Sequence, residues 1–239
     1  MDAKARIRKA VEKGRVPSIR HLFPAAKETV ELSMVFKIAT HVSIVRTLYL
    51  STRFGGWCLV ARGTRLKIGP GSRIEFAKGA FLLVGFLHYT PTPCSMHLGK
   101  RATLSVVGTV QIQRGARIFV NDGALLEMAA GSYINDCSTV TCFDHITFLD
   151  GAGVSWDCNI LDAAVHEIVV NGEGRPRSQP IVLGERAWIG TGAIILPGVH
   201  VGKNAIVAAG SVVAQDVVAG TLVGGNPARV IHKNVDWVM

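Results

Sequence analysis

The stretch LGERAW-IGTGAI-ILPGVH-VGKNAI-VAAGSV-VAQDVV, residues 183–218, repeats a six-residue pattern six times without a slip. The first position of each hexad is branched and apolar, the second is small in five of the six, and the fifth is never large. The first positions are Leu183, Ile189, Ile195, Val201, Val207 and Val213. Neither an amphipathic helix, with period 3.6, nor an alternating strand, with period 2, produces a period of six. The pattern predicts a β-solenoid, in which each unit buries its apolar face by stacking on its neighbours.

The same signal begins upstream, from about Leu66, with less regular spacing. Residues 79–97 break the pattern and include Pro91 and Pro93, so we predict a loop or an irregular coil there. We therefore expect a solenoid domain over residues 56–231 and a short tail over residues 232–239.

Residues 1–55 have a different character, with helix-favouring stretches interrupted by two prolines. We predict a basic helical cap that covers the open end of the solenoid. Residues 1–27 contain eight Lys or Arg against two acidic residues, which gives this segment a net charge of +6. Such a segment is either a solvated surface or a site of attraction to anionic lipid or a polyanionic substrate. Nucleic acid is not expected as a partner, because no recognition motif accompanies the charge.

The composition is that of a globular protein, with 239 residues of which 49% are hydrophobic and 18% charged. The five cysteines are scattered and form no CxxC pair, which favours free thiols in a reducing compartment. No apolar signal segment follows the basic N-terminus. We expect a cytoplasmic protein, with the inner face of the membrane as a second possible position.

The longest late interruption of the repeat, residues 163–180, reads AAVHEIVVNGEGRPRSQP and predicts an exposed loop. It contains His166, six residues after Ile160, where the next inward aliphatic residue is expected. A neutral imidazole can take a proton from a hydroxyl or an amine, and such a base needs an orienting partner. Asp162 and Glu167 are the nearest candidates, although either can equally be an ordinary surface charge. No metal site is predicted, because no two histidines have H-x4-H spacing and the cysteine spacing does not suit zinc.

Several motifs together resemble the hexapeptide-repeat acyltransferases, a family that includes maltose and galactoside acetyltransferases and the O-acetyltransferases of bacterial surface polysaccharides. The resemblance is strong over residues 130–231 and weak over residues 66–130. The C-terminal motifs are Trp188-Ile189-Gly190, Leu196-Pro197-Gly198-Val199, Ala209-Gly210-Ser211-Val212-Val213 and Gly225-Asn226-Pro227-Ala228-Arg229-Val230-Ile231. Upstream, Ser155-Trp156-Asp157, Ile160-Leu161-Asp162 and His166-Glu167-Ile168 look most like the polysaccharide-modifying branch.

The resemblance implies a left-handed parallel β-helix and a homotrimer whose three active sites lie between subunits. It also implies acetyl-CoA, or another acyl-CoA, as co-substrate with no metal. His166 would be the general base that lets a sugar, polysaccharide or glycolipid hydroxyl attack the thioester directly, and Trp156 and Trp188 would line the substrate cleft. By position, the acyl-CoA contacts would be Thr191, Ala209, Ala214, Gln215 and Arg229.

Two departures from the family pattern matter. Many relatives read Asp-x-Asp-x-His, whereas Ala164 replaces the second acid here, which leaves open the group that orients His166. Ala214-Gln215 replaces a Thr-Lys pair and so removes a cation from the donor site. We predict an O-acyltransferase, and the alternatives are a non-catalytic scaffold or binding trimer and an N-acyltransferase that acts on an amino sugar or a xenobiotic.

Overall fold

The chain winds into successive coils, and a full coil contributes one strand to each of three sheets. The computed structural model describes residues 42–86, 91–164 and 166–238. Most of the predicted N-terminal cap, including all of its basic segment, therefore lies outside the described residues. The part that is described forms one helix, α1 (Ile44–Phe54).

The three sheets are the faces of a triangular prism, and all their strand pairs are parallel except the last pair of the first sheet. In spatial order, the first sheet comprises β1 (Trp57–Val60), β4 (Phe81–Phe86), β7 (Thr109–Gln113), β10 (Tyr133–Ile134), β13 (Gly153–Val154), β18 (Trp188–Ile189), β21 (Ile206–Val207), β23 (Thr221–Gly225) and β24 (Ala228–Lys233). The second comprises β2 (Arg65–Ile68), β5 (Ser95–Leu98), β8 (Arg117–Val120), β11 (Thr139–Cys142), β14 (Asn159–Leu161), β19 (Ile194–Ile195) and β22 (Val212–Val213). The third comprises β3 (Arg73–Phe76), β6 (Thr103–Val106), β9 (Leu125–Met128), β12 (His145–Phe148), β17 (Ile181–Leu183) and β20 (His200–Val201).

The hexad positions have distinct physical roles. Every first position is buried in the core that the three sheets enclose. The second position is small because adjacent coils approach closely: a Cβ added at Gly190 would lie 2.6 Å from the Val207 carbonyl oxygen. The fourth residue of five hexads has a φ between 53° and 81°, which turns the chain at the prism edge. These five residues are Arg186, Gly192, Gly198, Asn204 and Gly210.

The strand register gives the length of each coil. In the regular part, Trp188 lies beside Ile206, 18 residues later, which is three hexads. One coil earlier, Asn159 lies beside Ile194, 35 residues later, because residues 163–180 leave the prism within that coil. The parallel register nevertheless resumes on the far side of this loop.

The prediction of a loop or irregular coil over residues 79–97 is wrong at β4 and at the start of β5. β4 is a six-residue strand of the first sheet, and all of its residues are buried. A continuous apolar run is typical of a buried parallel strand, so a search for hexads misses it. The register shifts between Val84 and Phe86, where Gly85 has a φ of +81°.

Both ends of the described solenoid are closed by regular structure. At the first coil, Leu50 of α1 is buried in the core, and the Thr47 hydroxyl accepts a 3.0 Å hydrogen bond from the Val60 amide. At the last coil, β24 pairs antiparallel with β23 and continues to Lys233, two residues past the predicted domain boundary. The prediction of a left-handed parallel β-helix with an N-terminal helical segment is confirmed. Within the described ranges, no helix is long and apolar enough to cross a bilayer.

Candidate functional site

The loop of residues 163–180 leaves the prism between β14 and β17, at the edge shared by the second and third sheets. Its base is closed by backbone hydrogen bonds from Ala164 to Arg177 (2.9 Å) and from Gln179 to Asp162 (2.8 Å). Farther out it forms a small antiparallel hairpin, β15 (Val169–Val170) with β16 (Glu173–Gly174). Residues 166–177 are all exposed, so the loop projects from this edge into solvent.

Asp162, at the base of the loop, is fully buried. Its Oδ1 accepts a 2.7 Å hydrogen bond from the Phe143 amide, and its Oδ2 accepts two 2.9 Å bonds from the amides of Asp144 and His145. Three N–H donors compensate for the lost hydration of a buried carboxylate. Asp162 therefore anchors the turn at residues 143–145, and the hydrogen bond to His166 that the sequence suggested is not formed among the described residues.

His166 is exposed near the start of the loop. Within the described part of the chain its imidazole has no hydrogen-bond or ion-pair partner. Glu167, the other candidate for orienting it, instead lies 3.5 Å from the Arg177 guanidinium across the loop. The imidazole is thus accessible to a substrate, and neither predicted acid holds it in the isolated chain.

A second histidine, His145, has a carboxylate partner that the sequence does not predict. His145 Nε2 lies 2.7 Å from Glu127 Oε2, and the Thr147 hydroxyl lies 3.1 Å from the same nitrogen and 3.2 Å from the same oxygen. An ionised carboxylate only accepts, so Nε2 is the donor in this contact. Glu127 and His145 lie on adjacent strands, and only the register of the coils reveals their proximity.

The residues predicted to contact acyl-CoA fall at different edges of the prism. Thr191 and Ala209 occupy equivalent positions of successive coils, at the edge between the first and second sheets. Ala214 and Gln215 follow β22, at the edge from which the loop projects. Arg229 lies in β24 opposite Gly224. All five are exposed, and the structure brings only Ala214 and Gln215 to the edge that carries His166.

The two tryptophans predicted to line the substrate cleft are partly exposed, Trp156 by 41% and Trp188 by 36%. Trp188 Nε1 donates a 2.9 Å hydrogen bond to the Ser155 hydroxyl. Its ring centroid lies 5.7 Å from that of Trp237. Trp237 is held in turn by Arg186, whose carbonyl accepts a 2.7 Å hydrogen bond from the Trp237 indole. The C-terminal tail thus covers part of the Trp188 ring.

Four of the five thiols are buried, which excludes them from reactions at the surface. Burial raises the pKa of Cys58 and of Cys94 to about 12. Burial, followed by the nearby negative charge of Asp162, raises the pKa of Cys142 as well. In the described ranges, no group of three His, Cys, Asp or Glu side chains is arranged to hold a metal ion.

Residues 180–215 match the family model of the bacterial transferase hexapeptide, which consists of six repeats. The coils over these residues therefore carry the hexapeptide repeat that this model describes. The match covers the regular coils that follow the loop.

Individual relatives match parts of the chain. It is 39% identical over 98 residues to the Saccharomyces cerevisiae protein "Putative acetyltransferase YJL218W", covering 37% of this chain and 50% of that protein. It is 55% identical over 58 residues to a 2,3,4,5-tetrahydropyridine-2,6-dicarboxylate N-acetyltransferase of Staphylococcus aureus, covering 24% of each. The chain thus spans half or less of the length of these two relatives.

Among solved structures, a mutant of AntD, an N-acyltransferase from Bacillus cereus in complex with dTDP and coenzyme A, superimposes with a TM-score of 0.50. The alignment covers 82% of this chain and 91% of that one at 15% sequence identity. At this identity the likeness shows the shared β-helical fold.

Proposed function

We propose that the protein is an acyl-CoA-dependent O-acyltransferase that transfers an acetyl group to a hydroxyl of a sugar, polysaccharide or glycolipid. The observation that carries the proposal is the exposed loop that leaves a hexapeptide solenoid and presents His166 at the prism edge. The acetyltransferase names of the two relatives, and the acyltransferase with the same fold that binds coenzyme A, support the reaction class.

In the proposed reaction, His166 accepts the proton of the acceptor hydroxyl as its oxygen attacks the thioester carbonyl carbon. The carbon–sulfur bond then breaks, and the departing CoA thiolate takes the proton from the imidazolium. The ester and free CoA are the products, so no other cofactor is needed. A positioned general base contributes about 10²–10⁴-fold to such a step.

The division of the donor residues between edges favours a site shared by two copies of the chain. Thr191 and Ala209 lie on a different prism edge from His166, and a cleft between two copies would let one edge of each contact the same acyl-CoA. A homotrimer would form three such clefts. There, small residues such as Ala209 would let the pantetheine arm lie against the coil, and the Arg229 guanidinium would meet the phosphates.

The decisive variant is His166→Ala. We expect kcat to fall at least about 10²-fold because the general base is lost, whereas acetyl-CoA binding and the oligomeric state are retained. His200→Ala, at an exposed position of β20, is the matched control and should keep full activity. An unchanged kcat in the His166 variant would exclude this residue as the base.

A mixing experiment tests the shared site. His166→Ala and Thr191→Trp, each inactive alone, should regain activity when unfolded together and refolded as mixed oligomers, because some clefts then receive one intact edge from each copy. If the mixture stays inactive while wild-type protein treated in the same way recovers, both groups act within one copy.

The N-acetyltransferase name of the Staphylococcus aureus relative makes transfer to an amine the second candidate. A panel of hydroxyl and amino acceptors, with products identified by mass spectrometry, separates the two reactions. Products formed only from amines would refute O-transfer. A failure to bind acetyl-CoA at millimolar concentration would instead favour a non-catalytic scaffold.

We further propose a cytoplasmic location in which the basic segment of residues 1–27 contacts anionic lipid. The full chain should float with anionic liposomes, and a chain that lacks these residues should not. Equal flotation of the two would refute the contact.

A further inference from the structure

A cleft of about 220 Å³ opens on the outward face of the second sheet, next to the edge from which the loop projects. It is lined by His97, Phe119, Val120, Asn121, Thr141 and Phe143. Its volume is below the roughly 300–1,000 Å³ of sites for drug-sized ligands, so it suits a single small ring.

The walls of the cleft are aromatic and its rim is polar. Phe119 stands on a sheet face with 38% of its surface exposed, and His97 contacts it edge to face at a centroid distance of 6.4 Å. Phe143 is held in place through its backbone by the buried Asp162. The Thr141 hydroxyl and the Asn121 amide supply hydrogen-bonding groups beside these rings. A pyranose matches this surface, because its axial C–H groups form an apolar face and its hydroxyls surround the edge.

Basic side chains stand on the outward face of the second sheet beside the cleft. Lys67 is the register partner of His97. In the neighbouring outward column, Ser95 pairs with Arg65 on one side and with Arg117 on the other. Side chains paired in this way lie about 5 Å apart at Cβ. Thr139 orients Arg117 by accepting a 2.9 Å hydrogen bond from its Nε. Along the described strands of this sheet, no outward position is Asp or Glu. The strand side of the cleft therefore favours an anionic group, whereas Asp122 and Asp144 follow its lining residues at the edge.

From the aromatic cleft and its basic border we infer that this site binds a sugar ring that carries a negative charge, on a carboxylate or on a phosphate ester. Its place beside the loop makes it the subsite for the acceptor, a role that rests on the proposed function. The charged group would lie toward Lys67 and Arg117, and the ring would stack between Phe119 and Phe143.

Direct binding tests the site without any need for turnover. Methyl glucuronide, glucose 1-phosphate and methyl glucoside would each be titrated into the full chain at low ionic strength and followed by NMR. We expect at least one anionic sugar to bind about tenfold or more tightly than the neutral one, with the difference shrinking as salt is added. The stronger anion identifies carboxylate or phosphate as the preferred group. Equal affinities, or no binding of either anion, would overturn the inference.

Two variants place the binding in this cleft. Lys67→Glu should weaken the anionic sugar about tenfold while leaving methyl glucoside unchanged, and Phe119→Ala should weaken both. Lys78→Glu reverses a charge at an exposed turn away from the second sheet and is the matched control. Circular dichroism melting confirms that each variant is folded. If the Lys67 and Lys78 variants bind alike, the site is elsewhere.

The outcomes distinguish this inference from the proposed function. If anionic sugars bind in the cleft but no acyl transfer to any acceptor occurs, the proposed reaction fails and the binding site stands. If transfer to sugars occurs but the Lys67 and Phe119 variants keep wild-type binding and acceptor KM, the reaction stands and this site is refuted.

Discussion

Replacing Asp162 by Asn should destabilise the fold before it affects any chemistry. The buried carboxylate accepts hydrogen bonds from three backbone amides, and a hydrogen bond to a charged group contributes about 1.5–3 kcal/mol. Asparagine keeps one carbonyl oxygen but directs its own NH₂ donors at whichever amides faced the other oxygen. At least one such bond is lost and the remainder lose their charge, so we expect the free energy of unfolding to fall by about 2–4 kcal/mol.

Urea unfolding followed by circular dichroism measures this change, and an unchanged m-value would show that the same surface is still exposed on unfolding. Asp150→Asn is the matched control, because that exposed carboxylate accepts one 3.1 Å hydrogen bond from the Ala130 amide. We expect the control to change stability by less than about 1 kcal/mol. If Asp162→Asn keeps wild-type stability but lowers kcat, the residue serves the catalytic histidine, and its role as the anchor of the turn is refuted.

Two other predictions concern the core. Gly190→Ala should cost about 3 kcal/mol, because its Cβ would meet the backbone carbonyl oxygen of Val207 at 2.6 Å. Gly123→Ala meets no atom within 4 Å and should cost only the strain of its φ of +75°, about 1–2 kcal/mol. A urea midpoint for Gly190→Ala as high as that for Gly123→Ala would contradict the close approach of the coils. Burial raises the pKa of Cys58 and Cys94 in the folded state from an ordinary 9.0 to about 12. The protonated thiols therefore contribute fully to the free energy of unfolding below pH 9, and this contribution is lost as the pH rises toward 12. Each thiol should then lower stability by about 1.4 kcal/mol per pH unit, and Cys94→Ala should have a shallower slope than the wild type over this range.

The later coils were predictable because their constraints repeat at every hexad. Each first position must fill the core, and each second position faces the backbone of the next coil. Large apolar and small residues therefore recur every six positions, and both the residue types and their spacing indicate the solenoid. In the earlier coils the register partners are farther apart, as with Trp57 and Phe81 or Phe81 and Thr109. Extra residues at the edges obscure the six-residue period there, so the hexad pattern predicts a loop where the buried strand β4 lies.

The site was predictable only where it depends on one segment. The break in the hexads located the loop and His166, but the role of Asp162 depends on a turn 17 to 19 residues earlier in the chain. The contact between Glu127 and His145 joins neighbouring coils, whose register is fixed by edge turns of variable length. The basic border of the cleft likewise combines residues from two coils. Contacts of this kind follow from stacking, which residue order alone does not show.

The continuity of the register across residues 163–180 has a consequence for how this protein can change. The loop starts and returns at one edge of the prism, and a short ladder closes its base. The stacking of the coils therefore depends little on the length of the loop. The entropic cost of closing a loop also rises only slowly with its length. Loops from other solenoids can therefore be grafted between Asp162 and Gln179 without re-engineering the core. Changes in the length of the loop and changes in the packing of the coils therefore affect separate stretches of the chain.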